Sequence, residues 1–387
     1  MMLLKKIGKI STGNTPSKKH REYYNSDDIG FVKPDSISDT VITEINKTSS
    51  FISENAREKA RVAPKGSILI TCIGSVGKVG IVTDGEYAFN QQINAIMPNK
   101  DVNQKYLAYN LLYNKQRLIN IANAPVVPIV NKTQLENFEI NFDSNIDTQK
   151  KIVEQLDGIA LVIDKRKKQL DALDELIKAR FIEVFGDMLL NSKSWREIRL
   201  DSVADIVSGI TKGRKIKSAE LYEVPYMAVS NVKNGYIDWT KVKTIMATKE
   251  EIKRYKLLPN DVLMTEGGDP DKLGRGAIIK CPPNNCIHQN HIFRVRLNEE
   301  LLPIYFEYYL QQIKAKRYFL KCSKQTTGIA SINMKQLLAL PVLIPDMESQ
   351  KTFAKFKEQA DKSKAVIEKS LKELETLQAS LMQKYFS

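Results

Sequence analysis

One stretch limits what this chain can fold into. From Ile146 to Asp187 no proline interrupts, and Ile152, Leu156, Ile159, Ile163, Leu170, Leu173, Ile177 and Val184 recur at alternating four- and three-residue steps. That is the seam of a coiled coil. A helix of that span would be roughly 60 Å long, more than a compact domain needs to cover its own core, so one face requires a partner helix. The chain supplies one. Met347 to Ser387 repeats the stretch without a gap, pairing Gln149-Lys150 with Gln350-Lys351, Leu170 with Leu371, Leu173 with Leu374 and Val184-Phe185 with Tyr385-Phe386, always 201 positions apart. Leu377 and Leu381 extend the second seam.

A duplication of this kind changes the expected fold before any local reading, and the segments between the helices repeat as well. Lys9-Ile-Ser-Thr-Gly13 aligns with Asp205-Ile-Val-Ser-Gly209, Lys65 to Thr71 with Pro259 to Thr265, and Asn90-Gln91-Gln92-Ile93 with Gln289-Asn290-His291-Ile292. The order is globular half, long helix, globular half, long helix. The predicted bounds are 1–145, 146–187, 188–345 and 346–387. Gly30 to Pro34, Gly66 to Thr71 and Val79 to Thr83 read as strands bounded by turn residues. Tyr106 to Asn120 reads as a helix with Leu107, Leu111, Leu112 and Leu118 inward, which together predict an α+β half with a mixed sheet.

Charge separates the roles of these parts. The chain carries +14 with a pI near 9.3. Asp147 to Asp187 holds 8 basic and 9 acidic residues, and Met347 to Ser387 holds 8 and 6. Nearly all the excess therefore lies on the globular halves, which become the polyanion-attracting surfaces and leave the helices for protein contacts. No apolar run is long enough to span a bilayer, and the opening MMLLKKIGKI turns polar too quickly for a secretory signal. The expected location is the cytoplasm, where the four cysteines stay reduced.

Several local patterns bear on chemistry. Ser17-Lys18-Lys19-His20-Arg21-Glu22-Tyr23-Tyr24 is a basic run closed by two tyrosines, suited to phosphate contact and stacking or, equally, to a solvated loop over core tyrosines. Thr71 to Gly80 fails as a P-loop, because that motif needs four residues between its glycines and Ser or Thr after its Lys. A glycine hairpin with Lys78 at its tip is predicted instead. Amides at Asn90 to Gln92 fall in a predicted strand; amides can read adenine or cap strand ends. In the second half the basic run is Lys212 to Lys217, Val229 to Gly235 reads as strand and turn, and Thr265 to Arg275 takes the place of the glycine hairpin.

Catalytic patterns are weak. Cys281, Cys286, His288 and His291 are zinc-ligand types, but their spacing matches no usual finger, and strand alternation would turn His291 away from its neighbours. Asp238 with Glu251-Ile-Lys253 is a chance-level match to a metal-dependent nuclease. There is no Walker A sequence, no dinucleotide fingerprint and no Asn/Asp-Pro-Pro-aromatic cluster of a base aminomethyltransferase.

Taken together, Gly13-Asn-Thr-Pro16-Ser-Lys18 with Tyr23-Tyr24, Gly66-Ser-Ile-Leu with Asn90-Gln91-Gln92-Ile93, Leu263 to Asp269 with Gly274-Arg275-Gly276, and the ends Ile140 to Val153 and Leu340 to Lys351 resemble the DNA specificity subunit of a type I restriction-modification system. The resemblance covers essentially the whole chain, and its specific element is the duplicated order of recognition domain and helix. It implies two tandem α/β target recognition domains separated by two long helices that pair as an antiparallel coiled coil. Each domain would read half of a bipartite asymmetric site in double-stranded DNA, and the helices would space the halves. Partners would be two methyltransferase subunits carrying S-adenosylmethionine and motor-nuclease subunits using ATP and Mg; this chain would bind no cofactor or metal and perform no catalysis. Aligning Gly209 with Gly13 puts Trp195 before Met1, so the first domain is expected to lack the leading segment that closes the second.

The expected DNA contacts are Lys18, Lys19, Arg21, Tyr23 and Lys78, with Asn90 and Gln91 reading bases, in the first domain. In the second they are Lys212, Arg214, Lys215, Lys272 and Arg275, with Asn231 and Gln289. For every amide a structural role is an equal alternative. Two other functions fit some of these features. A DNA-bridging protein without sequence preference would share the basic lobes and helical spacer, and a stand-alone nuclease or methyltransferase would require a site the motifs do not supply.

Overall fold

The computed structural model describes residues 1–122, 126–215, 220–268, 273–326 and 329–387. They form two compact units, one of 1–168 with 367–387 and one of 169–366. Each unit thus takes one globular half and parts of both long helices.

The first unit is built on a five-stranded sheet ordered Gly8–Thr12, Ile93–Pro98, Ile68–Thr71, Val79–Val82, Thr43–Ile45. Its central strands are buried on both faces, which is why they read as near-continuous apolar runs. Strand alternation divides them between two cores. Ile68, Ile70, Val79, Ile81 and Ile96 point to a layer containing Leu107 and Leu111, whereas Leu69, Val82, Ile93 and Ala95 point to one containing Val32, Ile45 and Phe89. A second sheet orders Phe51–Ile52, Ile29–Val32, Glu86–Phe89, Val62–Pro64, with Ile29–Val32 parallel to Glu86–Phe89.

The second unit repeats this frame. Ala204–Ser208, Ile292–Leu297, Val262–Thr265 and Gly276–Ile278 form the main sheet, and Tyr222–Met227 runs parallel to Ile287–His288 in the second. Val262 and Met264 face the large core around Tyr305, Phe306 and Phe319, while Leu263 faces Met227, Val232 and Cys286.

The long helices run Ile146–Phe185 and Met347–Phe386. Each begins at a fully buried glutamine. Gln149 Oε1 accepts the Asn103 amide at 2.7 Å, and its Nε2 donates to Asp143 O at 2.7 Å. Gln350 Oε1 accepts the Leu302 amide at 2.7 Å, and its Nε2 donates to Glu300 O at 3.0 Å and Pro345 O at 2.9 Å. Asn103 and Leu302 are the N-caps of the helices Gln104–Tyr113 and Pro303–Leu310, so one amide ties the long helix to the short one beneath it. Within the first unit Gln155 meets Tyr385, and Lys167 pairs with Glu375 at 3.3 Å. Within the second, Asp174 meets Lys364 and Phe181 packs on Phe353. In both, residue numbers rise on one helix as they fall on the other.

Several expectations change. The first long helix stops at Phe185 rather than Asp187, because Gly186 takes a left-handed φ of +78°. Leu377 is 48% exposed; the seam passes through Leu374 and Leu381 on the face one residue away. The helix predicted over Tyr106 to Asn120 is two, Gln104–Tyr113 and Lys115–Asn120, broken at buried Asn114, whose amide donates to Asn110 O and Oδ1 at 2.9 Å. The first domain is closed after all. Met2–Leu3 pairs antiparallel with Glu139–Ile140, a two-residue version of the Arg196–Arg199 ladder on Pro341–Ile344.

Burial of Glu307 is peculiar to the second unit, where its Oε1 accepts the Ile278 amide at 2.9 Å. Desolvation pushes its pKa up to about 7, against partial opposition from that hydrogen bond and the Lys357 charge. A carboxyl held protonated when folded but ionised when unfolded costs stability as pH rises from the unfolded value toward 7. Glu307→Gln should therefore leave stability near pH 4.5 almost unchanged and raise it at pH 8 by on the order of 3 kcal/mol, measured by urea unfolding at both pH values. Gln350→Ala strands one buried and two part-buried backbone groups and should lower stability by about 3 kcal/mol in the same assay at either pH.

Candidate nucleic-acid interface

In each unit an edge of the frame gathers a tight turn, a basic loop and a glycine-bearing hairpin. The turn follows the parallel strand pair. Ile93 N donates to Asn90 O at 3.1 Å, and Ile292 N donates to Gln289 O at 2.9 Å, so the amides predicted for a strand lie in a β-turn. Beside it the chain passes so close that a Cβ on Gly13 would collide with the carbonyls of Phe89 and Asn90, and one on Gly209 with those of His288 and Gln289. The basic loop starts from that glycine in both units. The hairpins also correspond: Thr71 N donates to Lys78 O at 3.0 Å, and Thr265 N to Arg275 O at 3.3 Å. Lys78 and Arg275, chosen separately in the sequence, therefore occupy one position on the shared frame.

Lys18, Lys19 and Arg21 are exposed. Tyr23 is half-buried, stacks on His20 with ring centroids 4.9 Å apart and packs on Ile29, Phe31 and Ile52. Tyr24 packs on the same core and donates to Pro16 O at 2.5 Å, so these rings serve first to hold the loop. Lys78 is not at the hairpin tip, which is Gly74-Ser75; it is half-buried with Nζ 3.3 Å from Pro34 O. Asn90 is buried, donating to Gln92 Oε1 at 3.0 Å and accepting the Gln92 amide at 3.1 Å. Gln91 is exposed, and its Oε1 accepts from the Thr15 hydroxyl at 2.8 Å.

Lys212 and Lys215 are exposed. Arg214 is turned inward, where its guanidinium grips the Glu251 carboxylate at 2.6 and 2.5 Å and donates to Met246 O at 3.1 Å. Glu251 also closes the capping box of Lys249–Tyr255 with Thr248. Arg214, the largest cause, holds the Glu251 pKa below the ordinary carboxylate value. That pairing gives Glu251 a structural role and leaves the nuclease-like tripeptide no free carboxylate. Asn231 is also structural: it lies in the 3-10 turn Val229–Asn231 rather than a strand, accepts the Ala228 amide at 2.9 Å and donates to Asp238 O at 2.8 Å. Gln289 is half-buried with Oε1 3.3 Å from the Val229 amide. Arg275 is half-buried, and its Nε has no hydrogen-bond partner among the described residues. Lys272 and Lys217 lie outside the described residues.

The cysteine-histidine cluster is dispersed. His288 is buried with its ring nitrogens 3.2 Å from Tyr255 O and Val207 O, and burial pushes its pKa down to about 4. Cys286 is buried with its pKa pushed up to about 12, and Cys281 is exposed. His291 pairs instead with Glu266, Nδ1 to Oε2 at 2.5 Å. No group of three metal-ligating side chains occurs among the described residues. No helix among them is long and apolar enough to cross a membrane.

Sequence missed Asn290. Alignment makes Asn90 equivalent to Gln289 and Gln91 to Asn290, and the amide hydrogen bonds of Asn90 to Val32 O and Gln289 to Met227 O bear this out. The counterpart of exposed Gln91 is thus Asn290, which is half-buried; the available signal was the aligned quartets themselves, in which Gln91 stands opposite Asn290.

A family model described as type I restriction modification DNA specificity domain matches residues 1–175 and 192–376. The chain is 23% identical to the type I restriction enzyme EcoKI specificity subunit of Escherichia coli K12, over 87% of this chain and 77% of that one. It is 27% identical to the MjaIX specificity subunit of Methanocaldococcus jannaschii, over 78% and 74% respectively. In fold it matches the S subunit of a type I restriction-modification system from M. genitalium with a TM-score of 0.57 at 16% identity, covering 100% of this chain and 95% of that one. A chain from a structure of type I complex assembly gives a TM-score of 0.63 at 16% identity over 99% and 96%. With both halves matched and the duplicated frame in place, the chain belongs to the type I restriction-modification DNA specificity family, whose members recognise DNA sequence and are not themselves catalysts.

Proposed function

We propose that each unit reads one half of a split, asymmetric site in double-stranded DNA, with the exposed lysines and Arg21 holding phosphates and the turn amides facing base edges. The observation that carries this reading is the pairing of one frame with unlike tips. Gln91 and Asn290, Gln92 and His291, and Lys78 and Arg275 occupy equivalent positions and differ in reach, in head-group geometry or, for Gln92 and His291, in the hydrogen-bonding group itself. A protein that bridged DNA without preference would have no use for the difference.

The two long helices pair antiparallel in this reading and space the half-sites, as dimer geometry does for other bipartite operators. Two methyltransferase subunits, bringing S-adenosylmethionine, and motor-nuclease subunits, bringing ATP and Mg, would dock against them in the cytoplasm, directing adenine methylation or cleavage. Leu161, Val162, Leu176, Ile182 and Val366 leave apolar side chains exposed on the helices, a surface suited to helical partners. This chain would hold no cofactor of its own.

Deleting the gene should remove one split asymmetric motif from the methylated-base map of its host; an unchanged map with methyltransferase still copurifying would count against the reading. Replacing Lys18 and Lys19 together by Ala should weaken binding of the chain–methyltransferase complex to all duplexes and reduce the slope of log affinity on log salt by about 2. Arg214→Ala should instead lower thermal stability and leave that slope nearly unchanged, because its charge is spent on Glu251.

A further inference from the structure

The two outward amides are held in opposite senses. In the first unit the Thr15 hydroxyl occupies Gln91 Oε1 at 2.8 Å, which leaves the NH2 group facing out. In the second, the fixed end of Asn290 is the nitrogen: Nδ2 lies 3.3 Å from His291 Nε2. For that contact to be a hydrogen bond, Nε2 must accept, so the imidazole proton sits on Nδ1. In the neutral ring Glu266 Oε2, 2.5 Å from Nδ1, accepts the hydrogen bond from that proton and favours this tautomer. Glu266 is itself anchored by its backbone, its amide donating to His291 O at 3.0 Å and its carbonyl accepting from Ile332 N at 2.9 Å. The chain Glu266, His291, Asn290 therefore fixes which way the Asn290 amide is turned. Neither Cys72 nor Gln92, the equivalents in the first unit, can build it.

Resting on the function proposed above, we infer that Asn290 is the base-reading residue of the second unit and that Glu266 and His291 position it. Its Oδ1, which accepts no hydrogen bond among the described residues, and its remaining N–H present an acceptor beside a donor. That pattern complements adenine N6 and N7 in the major groove, where an asparagine binds in bidentate fashion. Guanine offers two acceptors at the same edge and leaves Oδ1 unpaired.

The test begins from the wild-type motif in the methylation map. Affinities of the chain–methyltransferase complex are then measured for a duplex carrying that motif, for every single-base-pair substitution of it and for a random duplex. Asn290→Ala should reduce discrimination at one A·T pair by about 5- to 150-fold, with affinity for random duplex and thermal stability unchanged. His291→Phe and Glu266→Ala should relax the same position, whereas Glu266→Gln, which still accepts from Nδ1–H, should retain discrimination. That rescue separates a positioning role from a merely structural one. Full discrimination in Asn290→Ala, a loss centred on a G·C pair, or an equal loss on every duplex would overturn the assignment. A wild-type complex without any sequence preference would instead overturn the function on which it rests.

Discussion

A buried amide at the foot of each long helix is the joint on which the architecture depends. Gln149 and Gln350 each satisfy the backbone at the start of a shorter helix and at the chain entering the long one. Apolar packing alone is non-directional and would let a helix slide or rotate on its support. A buried side chain with both oxygen and nitrogen engaged admits one arrangement, since any slip leaves carbonyls and amides unpaired at a cost of ~1–3 kcal/mol each. Phe185 and Phe386, at the far ends of the two helices, add aromatic contacts with Tyr305 and Tyr106 in their respective units. Each helix is therefore gripped at both ends by side chains that the duplication preserved.

Above that joint the physical demands diverge. The central strands are buried on both faces, and changing Leu69 or Leu263 would disturb a packed layer. Several turn and loop residues at that edge, Lys18, Lys19, Gln91, Lys212 and His291 among them, are exposed, where most substitutions alter stability by no more than ~0.5 kcal/mol. The same frame can thus carry Gln91-Gln92 in one unit and Asn290-His291 in the other without refolding. The residues that pack the frame and those exposed at its edge are thus different residues, and under the proposed function this separation would let one fold serve two half-sites.

Much of this was legible in the chain. The proline-free seam, the 201-residue repeat and the concentration of charge outside the helices were enough to order the parts, because they depend on periodicity and local composition. Residue roles at the site were less so. Arg214 and Asn231 read as DNA contacts, yet one is spent on Glu251 and the other on backbone carbonyls, partners set by folding rather than by neighbouring sequence. Cys286 and His288, ligand types at no usual finger spacing, are core residues, and Leu377 missed the seam by one position. Asn290 escaped notice because Asn and Gln exchange places between the aligned quartets, and the hydrogen bonds of each turn show that Asn290 is the counterpart of Gln91.

Gly13 and Gly209 carry one further implication. Each lies where the basic loop leaves the frame, too close to the turn carbonyls for any side chain. The start of the loop is therefore set by main chain, while Tyr23 and Tyr24 in the first unit and Arg214 in the second hold the residues that follow. A segment copied from one such gene into another would leave the frame at the same point. A glycine kept at that point is thus a junction at which one loop can be exchanged for another, provided that the incoming loop brings side chains of its own to hold it.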